Sequence, residues 1–438
     1  MKKVLYGLFA GLFLALCLTL SVGMLLTPAA DAAANEQLAQ MPQIQNADGI
    51  NTEYLADLEK WVNDRFFLRT ELISADRWLS GKLLATSGEP DVVLGKDGWL
   101  FFQPTVKDYT GTEPMSDRDL RYAAHNLSIM ARYCRENGKD FLFVIAPNKN
   151  SLYGQYMPDL GVTATVRDAQ RLHALLDDLD VPYTDLFSVF AQQEQPLYFA
   201  HDSHWNSQGA ALGADTINQA FGLQSQYYAS DFSQGQTHTG DLYAMLYPGL
   251  VDPEQNPVCG TPLQYTFTGR ATQPDAITLE TEGQGSGRLL VYRDSFGNLL
   301  YPYLADSSAS ARFSRSTLYD LTLEADRVLV ELVERNLTYL ITYGAILPAP
   351  EAEITLPEKT AGSLTVTTGK RAGLVQVQGK LPQEADAAWL VTDGTARETF
   401  LLAGGAFLAS VPEEANYTHV VYTVGEEMLM YEITLEEN

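Results

Sequence analysis

Three short apolar runs place the strongest constraint on the fold of this chain. They lie at residues 141–146 (FLFVIA), 289–292 (LLVY) and 327–333 (RVLVELV). Short, nearly continuous apolar runs are typical of strands that are buried on both faces of a parallel sheet. Helical patterns at residues 120–134 and 163–180 alternate with such runs. This alternation predicts an α/β fold in which helices cover both faces of a mainly parallel sheet, giving three layers, α/β/α.

The pattern of the chain changes after Pro348 and Pro350. Residues 351–438 contain alternating apolar and polar runs separated by Gly, Asp and Pro turns, which predict a small C-terminal antiparallel β-sandwich. The α/β domain is therefore expected at residues 51–348. Within it, residues 222–287 are rich in Gln, Thr, Gly and Pro, and we interpret them as a long insertion.

The first 34 residues predict a signal peptide or an N-terminal membrane anchor, and residues 35–50 predict a polar linker. Lys2 and Lys3 precede an uncharged apolar run at residues 4–26, which is long enough to cross a bilayer, since that takes ~20 residues. The two lysines favour a cytoplasmic N-terminus. Alanine-rich residues follow, where a signal sequence could be cleaved, but we favour an uncleaved anchor. Both interpretations place the rest of the chain outside the cytoplasm, in the cell envelope or secreted.

The charge of the chain limits its partners. A formal net charge of −26 argues against a nucleic-acid partner, because phosphate contacts need clustered Lys and Arg. An anionic polymer could approach only through a local basic groove. The three cysteines, Cys17, Cys134 and Cys259, lack the spacing of metal ligands, and no other metal site is predicted. We also expect no cofactor.

Two polar segments follow apolar runs and contain residue types that support acyl transfer. Asp202 and His204 lie after an apolar stretch at residues 197–199 that resembles the end of a strand, and an aspartate beside a histidine can fix its tautomer. Ser295 lies between a predicted strand and a predicted helix, where a hydrolase exposes its nucleophile. Simpler interpretations are a structural Asp–His hydrogen bond and a serine helix cap. Chain order does not exclude a triad, because nucleophile, base and orienting acid recur in any order.

The two segments, Asp202-Ser203-His204-Trp205-Asn206 and Asp294-Ser295-Phe296, resemble the SGNH hydrolase-like extracytoplasmic polysaccharide O-acetyltransferases of the AlgX/AlgJ type and the DHHW proteins. The resemblance covers roughly residues 51–343. Arg293 departs from the pattern, because the esterase block usually has Gly there, and so does Ser203, which replaces a histidine. Further matches are Asn63-Asp64-Arg65-Phe66 with Arg69, Lys96-Asp97-Gly98-Trp99-Leu100-Phe101, Ala146-Pro147-Asn148-Lys149 with Tyr153 and Pro158, Gly240-Asp241-Leu242, and Glu331 with Glu334-Arg335.

The resemblance implies an SGNH-like domain and an O-acetyltransferase that passes an acetyl group through Ser295 to hydroxyls of a cell-surface or exported polysaccharide. In that scheme His204 is the general base and Asp202 orients it. Tyr301 matches a family tyrosine placed near the acetyl group, and a core aromatic in a tyrosine-rich helix is the alternative for this residue. A membrane-bound O-acyltransferase is the implied acetyl supplier.

Asn148 and Lys149 end another predicted strand at the same sheet edge, so they are candidate substrate contacts. An ordinary solvated turn is the alternative for this pair.

Two other functions remain open from the sequence. One is a carbohydrate or acyl esterase, which would use the same triad with water as the acceptor. The other is a non-catalytic glycan-binding surface protein, which the departure at Arg293 keeps in consideration. The sequence does not identify the acceptor polymer or the acetyl donor.

Overall fold

A computed structural model describes residues 2–26, 38–46, 49–84, 86–161, 165–235 and 237–436 of the chain. The predicted cleavage region and the first residues of the predicted linker, at 27–37, lie outside the described residues. The α-helices are α1 (Lys2–Leu26), α2 (Tyr54–Asp64), α3 (Arg69–Leu84), α4 (Val106–Thr110), α5 (Asp117–Glu136), α6 (Lys149–Leu152), α7 (Asp168–Asp178), α8 (Leu186–Ala191), α9 (Ser207–Ala220), α10 (Asp241–Leu246), α11 (Gly297–Asp306) and α12 (Tyr339–Thr342).

The strands fall into two large sheets and several two-stranded ribbons. Those up to residue 333 are β1 (Gln45–Asn46), β2 (Gly49–Ile50), β3 (Val92–Leu94), β4 (Leu100–Phe102), β5 (Asp140–Ala146), β6 (Tyr183–Thr184), β7 (Phe232–Ser233), β8 (Thr237–His238), β9 (Glu254–Gln255), β10 (Val258–Cys259), β11 (Tyr265–Phe267), β12 (Thr278–Gly283), β13 (Arg288–Tyr292), β14 (Ser310–Ser314) and β15 (Arg327–Val333). The rest are β16 (Glu351–Ala352), β17 (Gly362–Arg371), β18 (Leu374–Lys380), β19 (Ala387–Thr392), β20 (Thr395–Glu398), β21 (Phe400–Leu402), β22 (Ala406–Pro412), β23 (Tyr417–Val424) and β24 (Glu427–Leu435).

The first large sheet has seven strands in the order β11-β12-β14-β13-β15-β5-β6. The pairs from β14 through β13, β15 and β5 to β6 are parallel, whereas β11 and β12 are antiparallel additions at one edge. All seven residues of β15 are buried, because one core containing α5 and α7 covers one face and a second core containing α9 and α11 covers the other. The predicted three-layer α/β class, with a mainly parallel sheet, is confirmed.

The C-terminal region forms one nine-stranded sheet in the order β16-β20-β19-β23-β24-β17-β18-β22-β21. Every pair is antiparallel except β17 with β24. The predicted antiparallel β-rich C-terminal region is thus observed, although its strands are hydrogen-bonded into one continuous sheet. The division at residues 348–351 remains a prediction, because the core under α5 extends without a break into the C-terminal sheet.

Three local predictions differ from the structure. The apolar patterns at residues 181–190 and 339–343 predict strands, but the first forms only the short β6 before α8, and residues 339–342 form α12. Residues 197–199 belong to no strand of the sheet, and an isolated bridge joins Tyr198 to Trp205. Short apolar runs fit a buried helix turn or loop as well as a strand, and here tertiary packing decided between them.

The predicted apolar segment at the N-terminus is the helix α1. Residues Lys3–Met24 within it are long and apolar enough to cross a membrane. This helix suits a signal anchor or a signal peptide equally well.

Candidate active site

The turn that carries Ser295 is fixed by the residue before it. β13 ends at Tyr292, and the Oδ1 atom of Asp294 accepts a hydrogen bond from the N–H of Phe296 at 2.9 Å. Its Oδ2 accepts bonds from the N–H of Val333 and the Nδ2 of Asn336, both at 2.8 Å. Asp294 therefore ties the serine turn to the end of the neighbouring strand β15, and Ser295 remains half-exposed above the sheet.

The segment with Asp202 and His204 is a loop held by its neighbours. Trp205 is completely buried, and its Nε1–H donates to the carbonyl oxygen of Phe296 at 3.0 Å. Asn206 caps α9 by accepting bonds from the N–H groups of Gln208 and Gly209 at 3.0 Å each. The loop is thus attached to both the serine turn and the start of a helix.

The structure brings the three predicted triad residues together. The Oγ of Ser295 lies 2.8 Å from Nε2 of His204, and Nδ1 of His204 lies 2.7 Å from Oδ1 of Asp202. The backbone N–H of His204 donates to the same Oδ1 at 2.9 Å. These contacts have the spacing of a nucleophile, a base and an orienting acid.

Two further residues that sequence reasoning did not assign to the site hold the other oxygen of Asp202. Nε2 of His238 lies 2.7 Å from Oδ2, and the N–H of Asp241 donates to it at 3.0 Å. The His238 ring stacks on Phe199 with centroids 4.4 Å apart. Gly240-Asp241-Leu242 was recognised as a motif, but an isolated histidine two residues earlier carries no periodic pattern.

The carboxylates shift the pKa values of the histidines. Burial alone would lower the pKa of His204, but the hydrogen bond and charge of Asp202, with the charge of Asp241, raise it above its ordinary value. Burial alone would raise the pKa of Asp202, yet the bonds from His204 and His238 hold it well below its ordinary value. The bond to Asp202 raises the pKa of His238. Asp202 therefore stays ionised while His204 gains basicity.

The other predicted site residues are directed at protein atoms. Lys149 is buried, and its Nζ donates to the carbonyl oxygens of Leu100, Ala200 and Asp202 at 2.6, 2.7 and 3.0 Å. Burial lowers the pKa of this amine to about 7. These three bonds use the donors of Lys149 and make it a support of the loop, and its contact with a substrate stays a prediction.

Asn148 and Tyr301 also lie in buried positions, and their substrate contacts stay predictions. Asn148 is completely buried, and its Nδ2 donates to Asp108 at 3.1 Å. The ring of Tyr301 is buried against Phe313 and Phe267, with centroids 5.7 and 6.2 Å away. The packing of Tyr301 fits the alternative of a core aromatic, and both side chains are buried in this arrangement.

Arg293 does not obstruct the site. Its Nη1 donates to Oδ1 of Asn298 at 2.6 Å, and its Nη2 donates to the carbonyl oxygen of Pro274 at 2.5 Å. The side chain also packs so closely on Gly297 that a Cβ there would overlap it. In the described chain, the N–H groups of Ser295 and Gly297 make no hydrogen bond to a protein acceptor. These donors, at the start of α11, could stabilise an oxyanion beside Ser295.

Asp202, His204 and Asp241 could also hold a cation, since each offers a ligand atom within 4.8 Å of the others. The Nδ1 atom that a metal would need is 2.7 Å from Asp202. A metal would therefore compete with the hydrogen bond that orients His204.

Comparison with known proteins gives a family match. Residues 92–283 match the SGNH hydrolase-like domain of the acetyltransferase AlgX. A probable alginate O-acetylase AlgJ from Pseudomonas putida is 24% identical over 172 residues, which cover 37% of this chain and 44% of the relative. The corresponding Pseudomonas aeruginosa protein is 24% identical over 262 residues, covering 55% of this chain and 61% of the relative.

Among solved structures, Bacillus cereus PatB1 is 19% identical to this chain, with a TM-score of 0.42. The match covers 56% of this chain and 96% of the PatB1 chain. The chain spans roughly half of the length of the curated relatives it matches: 44% of the Pseudomonas putida protein and 61% of the Pseudomonas aeruginosa protein. The match at residues 92–283 includes Asp202, His204, His238 and Asp241, and it ends before Ser295. The resemblance that the motifs predicted is confirmed over part of the chain: residues 92–283 match the SGNH hydrolase-like domain of the acetyltransferase AlgX.

Proposed function

We propose that this protein is an extracytoplasmic O-acetyltransferase that moves an acetyl group through Ser295 to a hydroxyl of a polysaccharide. The contact of 2.8 Å between the Ser295 Oγ and Nε2 of His204 carries the proposal, because it gives the nucleophile a base. The curated relatives are named alginate O-acetylases, which supports a polysaccharide acceptor. The apolar helix α1 supports a location outside the cytoplasm, and a membrane-bound O-acyltransferase would supply the acetyl group.

The reaction has two matched halves. Ser295 Oγ attacks the acetyl carbonyl carbon while His204 takes the serine proton, and the carbon–oxygen bond to the donor then breaks as His204 protonates the leaving oxygen. In the second half, His204 takes the proton of the acceptor hydroxyl, whose oxygen attacks the acetyl-serine. The bond to Oγ breaks and Ser295 regains its proton. Asp202 keeps the imidazole oriented and stabilises its charge in both halves.

The test uses the full chain in detergent with p-nitrophenyl acetate as the acetyl donor. Mass spectrometry of a peptide containing Ser295 should reveal a gain of one acetyl group. Ser295→Ala should abolish this adduct, and His204→Ala should slow its formation by a factor of about 10³ or more. An adduct that persists in Ser295→Ala would contradict the proposal.

A second measurement separates transfer from hydrolysis. An oligosaccharide added to the acetylated protein should carry away the acetyl group, which mass spectrometry of the sugar detects. If acetate is released at the same rate with and without the sugar, the protein is an esterase that uses the same residues. If wild type never forms the adduct, the protein is non-catalytic.

A further inference from the structure

Arg335 lies in a turn that is attached to the nucleophile. The residues Glu334–Asn336 form a single 3-10 turn directly after β15. Val333, directly before this turn, and Asn336, its last residue, donate the two hydrogen bonds of 2.8 Å to Oδ2 of Asp294. Because Asp294 precedes Ser295, the position of Arg335 relative to the reacting serine is fixed by the fold.

Two aromatic rings hold the guanidinium beside the catalytic base. Its Cζ atom lies 5.3 Å from the ring centroid of Phe102 and 5.6 Å from that of Phe296. The ring of Phe296 is itself 4.9 Å from the ring of His204. Cations over aromatic faces are stabilised at these distances, so the two rings stabilise the half-buried guanidinium at this position.

The donors of Arg335 are not used by any residue that the structure describes. Among the described residues, its guanidinium makes no hydrogen bond and no ion pair. The other buried cations of this region differ, since Lys149 donates to three carbonyl oxygens and Arg293 to Asn298 and Pro274. Arg335 therefore offers up to five N–H donors in a planar fork that no group among the described residues satisfies.

The chemistry of this fork indicates its ligand. A planar guanidinium matches the two oxygens of a carboxylate or phosphate and binds them with paired, charge-assisted hydrogen bonds. The chain carries a net charge of −26, so an anionic polymer is repelled unless a local cation receives it. We propose that Arg335 binds an anionic oxygen group, a carboxylate or a phosphate, on the acceptor polysaccharide. This inference rests on the proposed function.

The experiment measures acetyl transfer from p-nitrophenyl acetate by the full chain to three acceptors of equal length. These are a mannose hexamer, a mannuronic acid hexamer and a mannose hexamer with one phosphate monoester. Wild type should prefer at least one anionic hexamer to the neutral one. Arg335→Gln should lower kcat/KM for that acceptor by about 10- to 100-fold, mostly through KM, and remove the preference. Arg335→Lys keeps the charge without the fork, so it should restore only part of the preference.

Arg121→Gln is the matched control, because it removes the same charge from an exposed position on α5 and should keep the wild-type preference. A preference for the uronate or for the phosphate identifies the source of the anionic group. Equal losses for all three acceptors in Arg335→Gln, or equal rates in wild type, would overturn the role of Arg335. These results leave the proposed function intact as long as acetyl-Ser295 forms and transfers, whereas failure of wild type to form it overturns that function.

Discussion

The carboxylate of Asp202 accepts four hydrogen bonds, and each holds a different part of the site. Oδ1 receives the ring and backbone of His204, and Oδ2 receives His238 and the N–H of Asp241. A carboxylate with one oxygen free could rotate and offer the imidazole a poorer geometry. The fixed orientation of Asp202 therefore depends on partners outside the triad. Partners of this kind also orient the histidines of many metal sites.

Replacement of His238 tests this dependence. We expect His238→Ala to lower kcat for acetyl transfer about 10-fold, with little change in KM, because Oδ2 of Asp202 loses a donor at 2.7 Å. His238→Gln should recover most of the rate, since its amide can donate to the same oxygen. His419→Ala, in the C-terminal sheet, serves as the control. A rate loss that Gln does not restore would show that the ring matters for packing on Phe199 instead.

The pH dependence of the rate follows from the same charges. His204 acts as a base only when it is neutral, and the carboxylates raise its pKa, so kcat/KM should rise with pH at a midpoint above about 6.5, the ordinary value for histidine. Asp241 lies 3.6 Å from Nδ1 of His204, and its charge contributes to the rise. Asp241→Asn removes that charge with little change of shape, so the midpoint should move to lower pH.

A pH–rate profile of each variant checks this expectation. Asp252→Asn is the control, since that carboxylate is more exposed and is paired at 3.8 Å with His201. A midpoint that stays in place in Asp241→Asn, or moves equally in Asp252→Asn, would count against a local effect on His204.

At the scale of elements, α9 positions the loop that carries His204. Gly209, in its first turn, has no room for a side chain, because an added Cβ would overlap the carbonyl oxygen of Leu197 and lie 2.9 Å from Cβ of Trp205. We expect Gly209→Ala to lower the free energy of unfolding by about 1–3 kcal/mol. It should also slow acetylation of Ser295, because the displaced segment includes Trp205.

Gly213→Ala is the matched control in the same helix. Its nearest neighbour would be Cδ1 of Leu300 at 3.8 Å, an ordinary contact, so alanine should stabilise the helix by up to about 1 kcal/mol. Urea unfolding and acetylation rates of both variants measure the two effects. Equal free energies of unfolding for the two variants would show that the segment around Leu197 and Trp205 moves aside for the added Cβ without loss of stability.

Elements with strong local patterns were predictable, and the loops that complete the site were not. The runs within β5, β13 and β15 are nearly continuously apolar. The spacing of Ser116 and Asp119 is that of a helix N-cap, and Ser116 accepts a bond from the N–H of Asp119 at the start of α5. His238 meets Asp202 across a separation of 36 residues that includes the whole of α9, and no local periodicity encodes such a contact. The burial of Lys149 was also hidden, because a lysine after a strand is ordinarily solvated.

At the scale of the whole molecule, the C-terminal sheet and the α/β region share one core. Asn126 on α5 is buried, and its Nδ2 donates to the carbonyl oxygens of Leu340 and Leu401 at 2.8 Å each, while its Oδ1 accepts from the N–H of Leu401 at 2.9 Å. One side chain therefore joins α5, α12 and β21. Arg132 on α5 also pairs with Glu398 on β20.

This shared core predicts that the described regions unfold together. Loss of acetylation activity, which reports on the site, and loss of near-ultraviolet circular dichroism should have the same urea midpoint, as expected for one cooperative transition.

Asn126→Ala should lower the free energy of unfolding by about 2–4 kcal/mol, because three backbone groups lose their buried partner. Both midpoints should fall by the same amount, although Asn126 belongs to none of the segments that carry Asp202, His204 or Ser295. Asn137→Ala, which removes one exposed bond to Tyr133 at the end of the same helix, should leave both midpoints nearly unchanged. Two separated transitions, with only one displaced by Asn126→Ala, would instead mean that the C-terminal sheet folds independently and that the site does not depend on it.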